Sequence, residues 1–438
     1  MKIFQLLPLS GALALAFVSG AQAQSLVELY NAAKGFDANY QSAKLQFDAS
    51  LAKADQAAAA VLPSAALSLN ATLANQIYSS ALPDRQPGSM SATVVASKPL
   101  YRPANEATAE QGRKQVGLAK AQLNAAEQDL IIRVSQAYFD ALAASDTLNL
   151  VRAQKEAVSQ QLSAAKRNFE VGTATITDTR EAQARYDLTL AQEISATNDL
   201  EVKTLVLSQL TGRASAKPVA LARPEGIGPI NPPAMQAWVN KAEQEHPVVV
   251  QAQIALEVAQ LETKKAQAGK KPTVDLEGTV SVSQSNEFVT STHYWGNSAS
   301  IGVKFNLPLY SGNALENRIK ETLVLEDKAR NDIEVARRAV AQATRSAFLG
   351  VQSGLGQISA LQAAEVSGQS ALDATKLGYQ VGVRINIDVL NAQTALYDTK
   401  NKLAKARYDV ILGGLKLRQA SGQLSAGDLI SVTQLLAK

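Results

Sequence analysis

The sequence repeats itself once, and this repeat restricts the fold more than any other feature does. Residues 169–172 return as residues 379–382, so that Gly172 and Gly382 lie 210 positions apart. The same spacing pairs Tyr138 with Phe348, Asp178 with Asp388 and Gln183 with Gln393, and a spacing of 209 pairs Pro63 with Pro272 and Tyr101 with Tyr310. Matches at one spacing indicate a duplicated unit. We predict a first repeat at 24–212, a proline-rich linker at 213–233 and a second repeat of the same organisation at 234–438.

The first 23 residues have the pattern of an export signal. A basic Lys2 precedes an apolar run from Leu6 to Val18, and small residues occupy the positions that signal peptidase reads before Gln24. This run is too short to span a bilayer as a helix. We therefore predict a signal peptide at 1–23 and an exported mature chain.

The composition excludes several classes of protein. The 438 residues contain no cysteine, which excludes disulfides, thiol catalysis, Cys-ligated metal and a lipid anchor on an N-terminal cysteine. The formal charge of +4 falls to +3 without Lys2, which is too small to indicate a nucleic-acid partner. After the signal no uninterrupted run of about 18 apolar residues occurs, so we expect no transmembrane helix.

Each repeat contains two segments with apolar residues at alternate positions, which is the pattern of strands with one apolar face. These segments begin at Leu67, Met90, Val274 and Ala299, and a Pro- and Gly-rich tip at 82–88 separates the first two. We predict four strands in two hairpins. The surrounding sequence is helical, so no second sheet covers the apolar faces. Aromatic residues near the strand ends suit a bilayer interface; they are Tyr78, Tyr101, Tyr294, Trp295 and Tyr310.

The number of strands predicts the number of chains. Four strands cannot close a barrel, and lipid does not tolerate open strand edges, so the barrel must be shared between chains. Two chains would supply eight strands, whose interior side chains fill, whereas three would supply twelve and leave a lumen. We therefore predict a homotrimer in contact with membrane lipid.

The remaining pattern is helical. It predicts long helices at 103–171 and 313–381, each on the order of 100 Å long, and returning helices of roughly 40 residues that end at Gly212 and Gly422. Shorter helices are expected at 37–60 and 246–268. A heptad seam with small residues follows the first long helix; its members are Leu123, Leu130, Val134, Ala137, Ala141, Ala144, Leu148 and Val151. The predicted fold class is mainly α with a small β part.

The turn sequences at 169–178 and 378–393 resemble those of the TolC family of outer-membrane efflux proteins, and the resemblance covers essentially the whole mature chain. It implies a trimer with a twelve-stranded outer-membrane β-barrel and a periplasmic α-helical barrel. It also implies a tripartite efflux or type I secretion system. Drugs or exported proteins would pass from an inner-membrane pump of the ABC, RND or MFS type, with a periplasmic adaptor, to the outside. The turns at Gly172 and Gly382 would be the docking surface for the adaptor.

The resemblance further implies a periplasmic gate. Thr177, Asp178, Tyr379 and Arg384 match the family's gate residues, and we expect an ion pair of about 1 kcal/mol between Arg384 and Asp178. Two residues match rings at the entrance, namely Asp388 and Asn391. Asn391 departs from the family's usual Asp, so we expect weak block by cations. The residues alone allow another interpretation: solvated turn side chains, with Asp388 a carboxylate favoured by the helix dipole.

No catalytic residue, metal site or cofactor is predicted. The two histidines, His246 and His293, have no credible catalytic partner nearby in sequence, and no phosphate-loop or nucleophile-elbow motif occurs. The chain is therefore interpreted as non-enzymatic. The alternative is a periplasmic coiled-coil adaptor or scaffold, which would also be exported, Ala-rich and heptad-patterned. Such a protein has no need for two strand hairpins.

Overall fold

A computed structural model describes residues 24–75, 88–214, 216–220, 228–287 and 292–434. The predicted signal peptide, Tyr78 and most of the tip at 82–88 lie outside these residues. The chain divides into two compact units. The turn unit takes the described parts of Met1–Ser42, Asn124–His246 and Arg338–Lys438, and the sheet unit takes those of Ala43–Leu123 and Pro247–Arg337. Each unit therefore draws on both repeats.

The elements follow the same order in each repeat, which is two shorter helices, two strands and two longer helices. The first repeat contains α1 (Leu26–Phe36), α2 (Ala38–Ala58) with a 3-10 turn at Ala59–Val61, β1 (Ser64–Leu73), β2 (Gly88–Tyr101), α3 (Pro103–Glu170) and α4 (Ile176–Thr211). The second contains α5 (Met235–Glu245), α6 (Pro247–Ala268), β3 (Thr273–Glu287), β4 (Thr292–Asn306), α7 (Ala314–Gln380), α8 (Asn386–Ala420) and a short α9 (Asp428–Thr433). The predicted fold class is confirmed, and both long helices end within one residue of the predicted positions.

Three short helices were not predicted, namely α1, α5 and α9. Helix α1 begins with a capping box, in which Ser25 accepts from the Glu28 N–H at 3.2 Å and Glu28 accepts from the Ser25 N–H at 3.1 Å. Its C-cap is Asp37, which has extended backbone and whose carboxylate accepts from the Tyr40 N–H at 2.8 Å. The Arg133 guanidinium contacts the same carboxylate at 2.8 and 3.0 Å and holds the pKa of Asp37 below its usual range.

The four strands form one antiparallel sheet in the order β1-β2-β3-β4, so its central pair joins the two repeats. The register aligns the apolar positions of all four strands: Leu67 pairs with Val94, Val94 with Val280, and Val280 with Ala299. The next row contains Ser68, Thr93, Ser281 and Ser298. Because neighbouring residues point to opposite faces of a strand, the sheet has one apolar and one mainly polar face.

The apolar face is exposed in the single chain. Leu69 is 73% exposed and Ile301 79%, and Leu67, Leu73, Val280, Val303 and Phe305 are also exposed. On the other face Thr93 and Ser281 share a hydrogen bond of 3.0 Å, and Lys304 lies 3.4 Å from Glu277. A contiguous exposed apolar face of this kind is typical of a surface that contacts a partner or a membrane.

The base of the sheet is fixed by an ion pair between a partly exposed arginine and a buried aspartate. Arg102, between β2 and α3, donates from Nε and Nη2 to the two carboxylate oxygens of Asp275, at 2.6 and 2.5 Å. Asp275 is buried, so the bidentate guanidinium supplies the charge and hydrogen bonds that burial removes from it. In the described part of the chain, no helix is both long enough and apolar enough to cross a bilayer.

The turn unit has a helical core with a polar contact series between α3 and α8. The predicted seam is buried from Leu130 to Leu148, while its end members Leu123 and Val151 are half-buried. Tyr408 stacks on Phe139 and donates to Asp146 at 2.6 Å. At the next residue of α3, the Thr147 hydroxyl donates to Asn401 Oδ1 at 2.9 Å. The helices are therefore held in register by specific hydrogen bonds in addition to apolar packing.

Glycines end the long helices, as the sequence predicts. Gly172, Gly212, Gly382 and Gly422 have φ between +69° and +81°, a conformation that other residues adopt at a cost. Their surroundings differ. A Cβ on Gly422 would lie 2.6 Å from the His246 backbone Cα, whereas nothing lies within 4 Å of a Cβ on Gly172 or Gly382.

Candidate gate at the interhelix turns

The two interhelix turns of the turn unit share one backbone geometry. We call residues 171–175, between α3 and α4, turn A, and residues 381–385, between α7 and α8, turn B. In turn A the Gly172 N–H donates to the Phe169 carbonyl at 3.0 Å, and in turn B the Gly382 N–H donates to the Tyr379 carbonyl at 3.1 Å. The repeat is thus preserved in the backbone of both turns, and any functional difference between them must come from their side chains.

The Asp178 carboxylate is hydrogen-bonded by Thr175 of the adjoining turn. It is the third residue of α4, and its carboxylate accepts from the Thr175 N–H at 2.9 Å and from the Thr175 hydroxyl at 2.7 Å. The Thr175 hydroxyl oxygen in turn accepts from the Asp178 N–H at 3.2 Å, which completes a capping box. Thr177 is exposed on the same first turn. The carboxylate of Asp178 therefore stabilises the start of α4 within the single chain.

Arg384 pairs with Asp388 in this structure, at 3.7 Å, and the expected ion pair with Asp178 is not formed within the chain. The reason is local geometry: Asp388 lies four residues along, on the first turn of α8, whereas Asp178 is held by Thr175. The guanidinium is 61% exposed, so this pair is screened by water and contributes little. Arg384 is consequently free to reorient toward another carboxylate at small cost.

Tyr379 connects the two helical hairpins. Its hydroxyl oxygen accepts from Asn168 Nδ2 of α3 at 3.4 Å, and its ring packs against the cluster of Leu372, Val389 and Leu396. The structure thus brings Tyr379 of the second repeat to the end of α3 in the first. It does so with Asn168, which the sequence did not indicate.

Asn386 is a second residue that sequence reasoning missed. It is the first residue of α8 and is 0% exposed. Its Nδ2 donates to the Asp178 backbone carbonyl at 3.2 Å, and its Oδ1 accepts from Gln161 Nε2 at 2.5 Å. The repeat does indicate this position: the matching residue 210 positions earlier is the apolar Ile176, so an amide here departs from the duplicated pattern.

The predicted entrance residues lie on α8. Asp388 accepts weakly from the Ile385 N–H at 3.5 Å, as a carboxylate near a helix N-terminus does. Asn391 is exposed and accepts from Arg185 Nη2 of α4 at 3.0 Å. A cation therefore stands beside the position where the family pattern has an acid. Among the described residues no group of three or more His, Cys, Asp or Glu side chains could hold a metal ion.

The tips of both turns are apolar and exposed. Val171 is 73% exposed and Val383 75%, and Ile176, Val381 and Ile385 are also exposed. Exposed apolar side chains at such positions contribute no burial energy to the isolated chain, and they suit contact with another protein.

Comparison with known proteins identifies relatives along nearly the whole chain. A family model described as outer membrane efflux protein matches residues 21–213 and 238–423. Outer membrane protein TolC of Vibrio cholerae is 35% identical over 432 residues, which cover 98% of each chain. Alkaline protease secretion protein AprF of Pseudomonas aeruginosa is 30% identical over 350 residues, covering 79% of this chain and 72% of that one.

Solved structures share the fold. CusC, described in a study of folding and transmembrane channel formation, superimposes with a TM-score of 0.78 at 18% identity, covering 92% of this chain and 95% of that one. At this level of identity the likeness shows the fold alone.

Proposed function

Because the chain belongs to the outer membrane efflux protein family, we propose that three copies form the outer-membrane channel of a tripartite efflux or type I secretion system. The observation that carries the trimer is the four-stranded sheet, which has one exposed apolar face and two edge strands with a single neighbour each in the described residues. Joining β1 of one copy to β4 of the next satisfies both edges, and three copies give the smallest ring with an open lumen.

The chain is an outer-membrane efflux channel protein of the TolC type. The alternative of a periplasmic adaptor or scaffold is not retained, because the relatives along the whole chain are outer-membrane channels and secretion proteins. The absence of enzymatic activity remains part of our proposal. So do the signal peptide at 1–23 and the division into repeats at 24–212 and 234–438.

We assign the docking of a periplasmic adaptor to the apolar tips of turns A and B. Their exposed side chains, Val171, Val381, Val383 and Ile385, surround the two turn glycines, Gly172 and Gly382. Small turn residues permit close approach of a partner's helix ends, and the exposed valines supply apolar area. The adaptor and an inner-membrane pump are the proposed partners. Crosslinking in the cell from these tips, followed by mass spectrometry, would identify them.

The gate is proposed to consist of Thr177, Asp178, Tyr379 and Arg384, and it makes the function testable. Replacing Tyr379 by Phe together with Arg384 by Ser is expected to raise the mean conductance in a planar bilayer several-fold. The change removes the Tyr379 hydroxyl that contacts Asn168 of the other hairpin, and the exposed Arg384 guanidinium, which in the proposed gate turns from Asp388 to a carboxylate across the closed contact. At about 0.5 kcal/mol for each contact, three copies lose roughly 3 kcal/mol of closed-state stability, about a hundredfold in the open-to-closed ratio. Mean conductance rises by less than this ratio, because it saturates once most channels are open.

The control double variant removes a tyrosine hydroxyl and an arginine guanidinium at positions outside the proposed gate. Tyr397→Phe with Arg337→Ser deletes a hydroxyl on α8 and a guanidinium on α7 whose partner, Glu334, lies three residues away. It should conduct as the unaltered protein does. Equal conductance of both double variants would remove Tyr379 and Arg384 from the gate. Full release of the unaltered protein into the soluble periplasmic fraction without detergent would overturn the channel itself.

The entrance makes a separate prediction. Asn391→Asp adds a carboxylate one turn from Asp388 in each copy, so we expect a trivalent cation such as La³⁺ to block conduction at about tenfold lower concentration. The nearby Arg185, 3.0 Å from Asn391, limits the gain. Dose-response measurements in a planar bilayer test this effect, with Asp388→Asn as the reverse change, which should weaken the block. A blocking concentration that neither change alters would exclude both residues from the conduction path.

A further inference from the structure

One fully buried side chain in the turn unit joins three helices that belong to both repeats. Asn386 begins α8, donates to the backbone of Asp178 in α4 and accepts from Gln161 in α3. Its counterpart in the first repeat, Ile176, is apolar and 50% exposed. The duplicated turns therefore differ at this position, where one has a buried amide and the other an exposed alkyl group.

The amide orientation is determined by its partners. A backbone carbonyl can only accept, so the Asp178 oxygen fixes Nδ2 as the atom that faces it. The remaining Oδ1 then faces the donating Nε2 of Gln161. A rotation of α8 or a shift by one residue would break both bonds together. The contact thus specifies a single register between the α7–α8 hairpin and the α3–α4 hairpin.

The surroundings make this contact reversible. The residue after Asn386, Ile387, packs against an apolar cluster formed by Val158, Leu162, Ala165, Ala182 and Leu390. If the hairpins separate, water can satisfy the amide groups of Asn386 and Gln161 as the bonds to protein break, whereas it cannot do so for an alkyl contact. A buried polar contact between packed helices therefore favours one arrangement without making separation costly.

We propose that Asn386 is a positioning residue that holds the α7–α8 hairpin in the closed arrangement of the channel, by bonding Gln161 and the Asp178 carbonyl at once. This inference rests on the proposed function, since it concerns how that channel closes. It differs from the gate described above, whose side chains are partly or largely exposed. The side chain acts by fixing the start of the helix that carries Asp388 and Asn391 and that follows Arg384 of turn B.

The decisive variant is Asn386→Asp, measured as mean conductance against pH in a planar bilayer. Burial raises the pKa of the introduced carboxyl, so it is ionised at about pH 8 and protonated at about pH 5. The ionised form repels the Asp178 carbonyl, whereas the protonated form can donate to it and still accept from Gln161. We expect about fivefold higher conductance than the unaltered protein at high pH, returning to within about twofold of it at low pH.

The part of the pH dependence of conductance that comes from other charged groups near Asn386 has to be subtracted. Asp178 on α4, and Arg384 and Asp388 at the start of α8, are present in both proteins, so a pH scan of the unaltered channel measures their contribution. Asn198→Asp makes the same chemical change at an exposed position of α4 and should show no added pH dependence. Gln161→Met removes the other partner without introducing a charge, and it should raise conductance equally at both pH values.

Hydrogen exchange separates this inference from the proposed function. In trimers of the Asn386→Asp variant, amide protection over 386–392 should fall at high pH and recover at low pH, whether or not the protein conducts. If the unaltered protein forms no channel but protection follows this pattern, the proposed function fails and the positioning role stands. If protection and conductance both match the unaltered protein at every pH, or if Gln161→Met has no effect, the positioning role is wrong.

Discussion

Replacing Ile301 by Arg is expected to abolish assembly in the outer membrane. Ile301 lies on the apolar face of β4, is 79% exposed in the single chain and is opposite Gly278 of β3. An arginine on the lipid-facing side of a membrane strand costs about 2–4 kcal/mol near the bilayer midplane, and three copies would bring the total to roughly 6–12 kcal/mol. We expect less than about a tenth of the normal amount of heat-resistant trimer in the outer-membrane fraction.

The matched control is Ser300→Arg, one residue earlier. Ser300 pairs with Thr279 and lies on the polar face of the same strand, so the same side chain would face water in a lumen. Trimer yield should stay close to that of the unaltered protein, while conductance changes because charge is added to the lumen. If Ser300→Arg prevents assembly and Ile301→Arg does not, the assignment of the two faces is reversed. Equal yields would exclude a lipid-facing sheet.

Gly422→Ala is expected to cause the largest loss of stability in the turn unit. Gly422 has a φ of +76°, and an added Cβ would lie 2.6 Å from the His246 Cα and 3.2 Å from the Glu245 carbonyl oxygen. Backbone atoms cannot move aside as a flexible side chain can. The left-handed conformation costs about 1–2 kcal/mol for an L-residue, and overpacking adds about 1–3 kcal/mol. The midpoint of thermal unfolding, followed by helical circular dichroism of the purified trimer, should fall by several degrees.

Two other glycines provide a graded comparison. Gly382→Ala adds a Cβ to open space at a φ of +81°, so only the backbone cost applies. Gly212→Ala would place its Cβ 2.6 Å from the Phe36 ring, which is 59% exposed and can rotate away. We therefore expect the smallest loss of stability for Gly382→Ala, a larger one for Gly212→Ala and the largest for Gly422→Ala. Equal losses at all three positions would show that the clash with His246 is relieved in solution.

Much of the fold could be predicted because its signals are local and repeated. The alternation that begins at Leu67 and Val274 predicted strands that the structure contains, and the glycines that follow α4 and α8 marked their ends. The pairing of β2 with β3, which joins the two repeats, could not be predicted from the sequence. Alternation of apolar residues determines which face of the sheet a residue occupies, but it does not determine which strand lies beside it. The row from Leu67 through Val94 to Val280 became visible only in three dimensions.

The candidate site was less predictable, because its contacts join distant segments. The family pattern indicated Asp178, Tyr379 and Arg384; the structure places Arg384 in turn B and the other two on helix ends next to the turns. It could not indicate that Thr175 would hydrogen-bond the Asp178 carboxylate, or that Arg384 would pair with Asp388 on the first turn of the following helix. Asn386 was missed because an amide at the start of a helix is ordinary in sequence. Its importance comes from complete burial and from partners 208 and 225 residues away.

The order of strands in the sheet has a consequence for mixed populations of chains. The described edges, β1 and β4, belong to different repeats, so in the proposed ring the contact between copies is heterologous, and an incomplete assembly keeps one unpaired edge at each end until the ring closes. In such a ring, one copy with a damaged edge therefore prevents the two intact copies that it joins from forming a closed barrel. If half of the chains carried such a defect, roughly one ring in eight would be intact, as expected for random assembly of three subunits. A loss-of-function allele of this kind would act as dominant over the normal gene product.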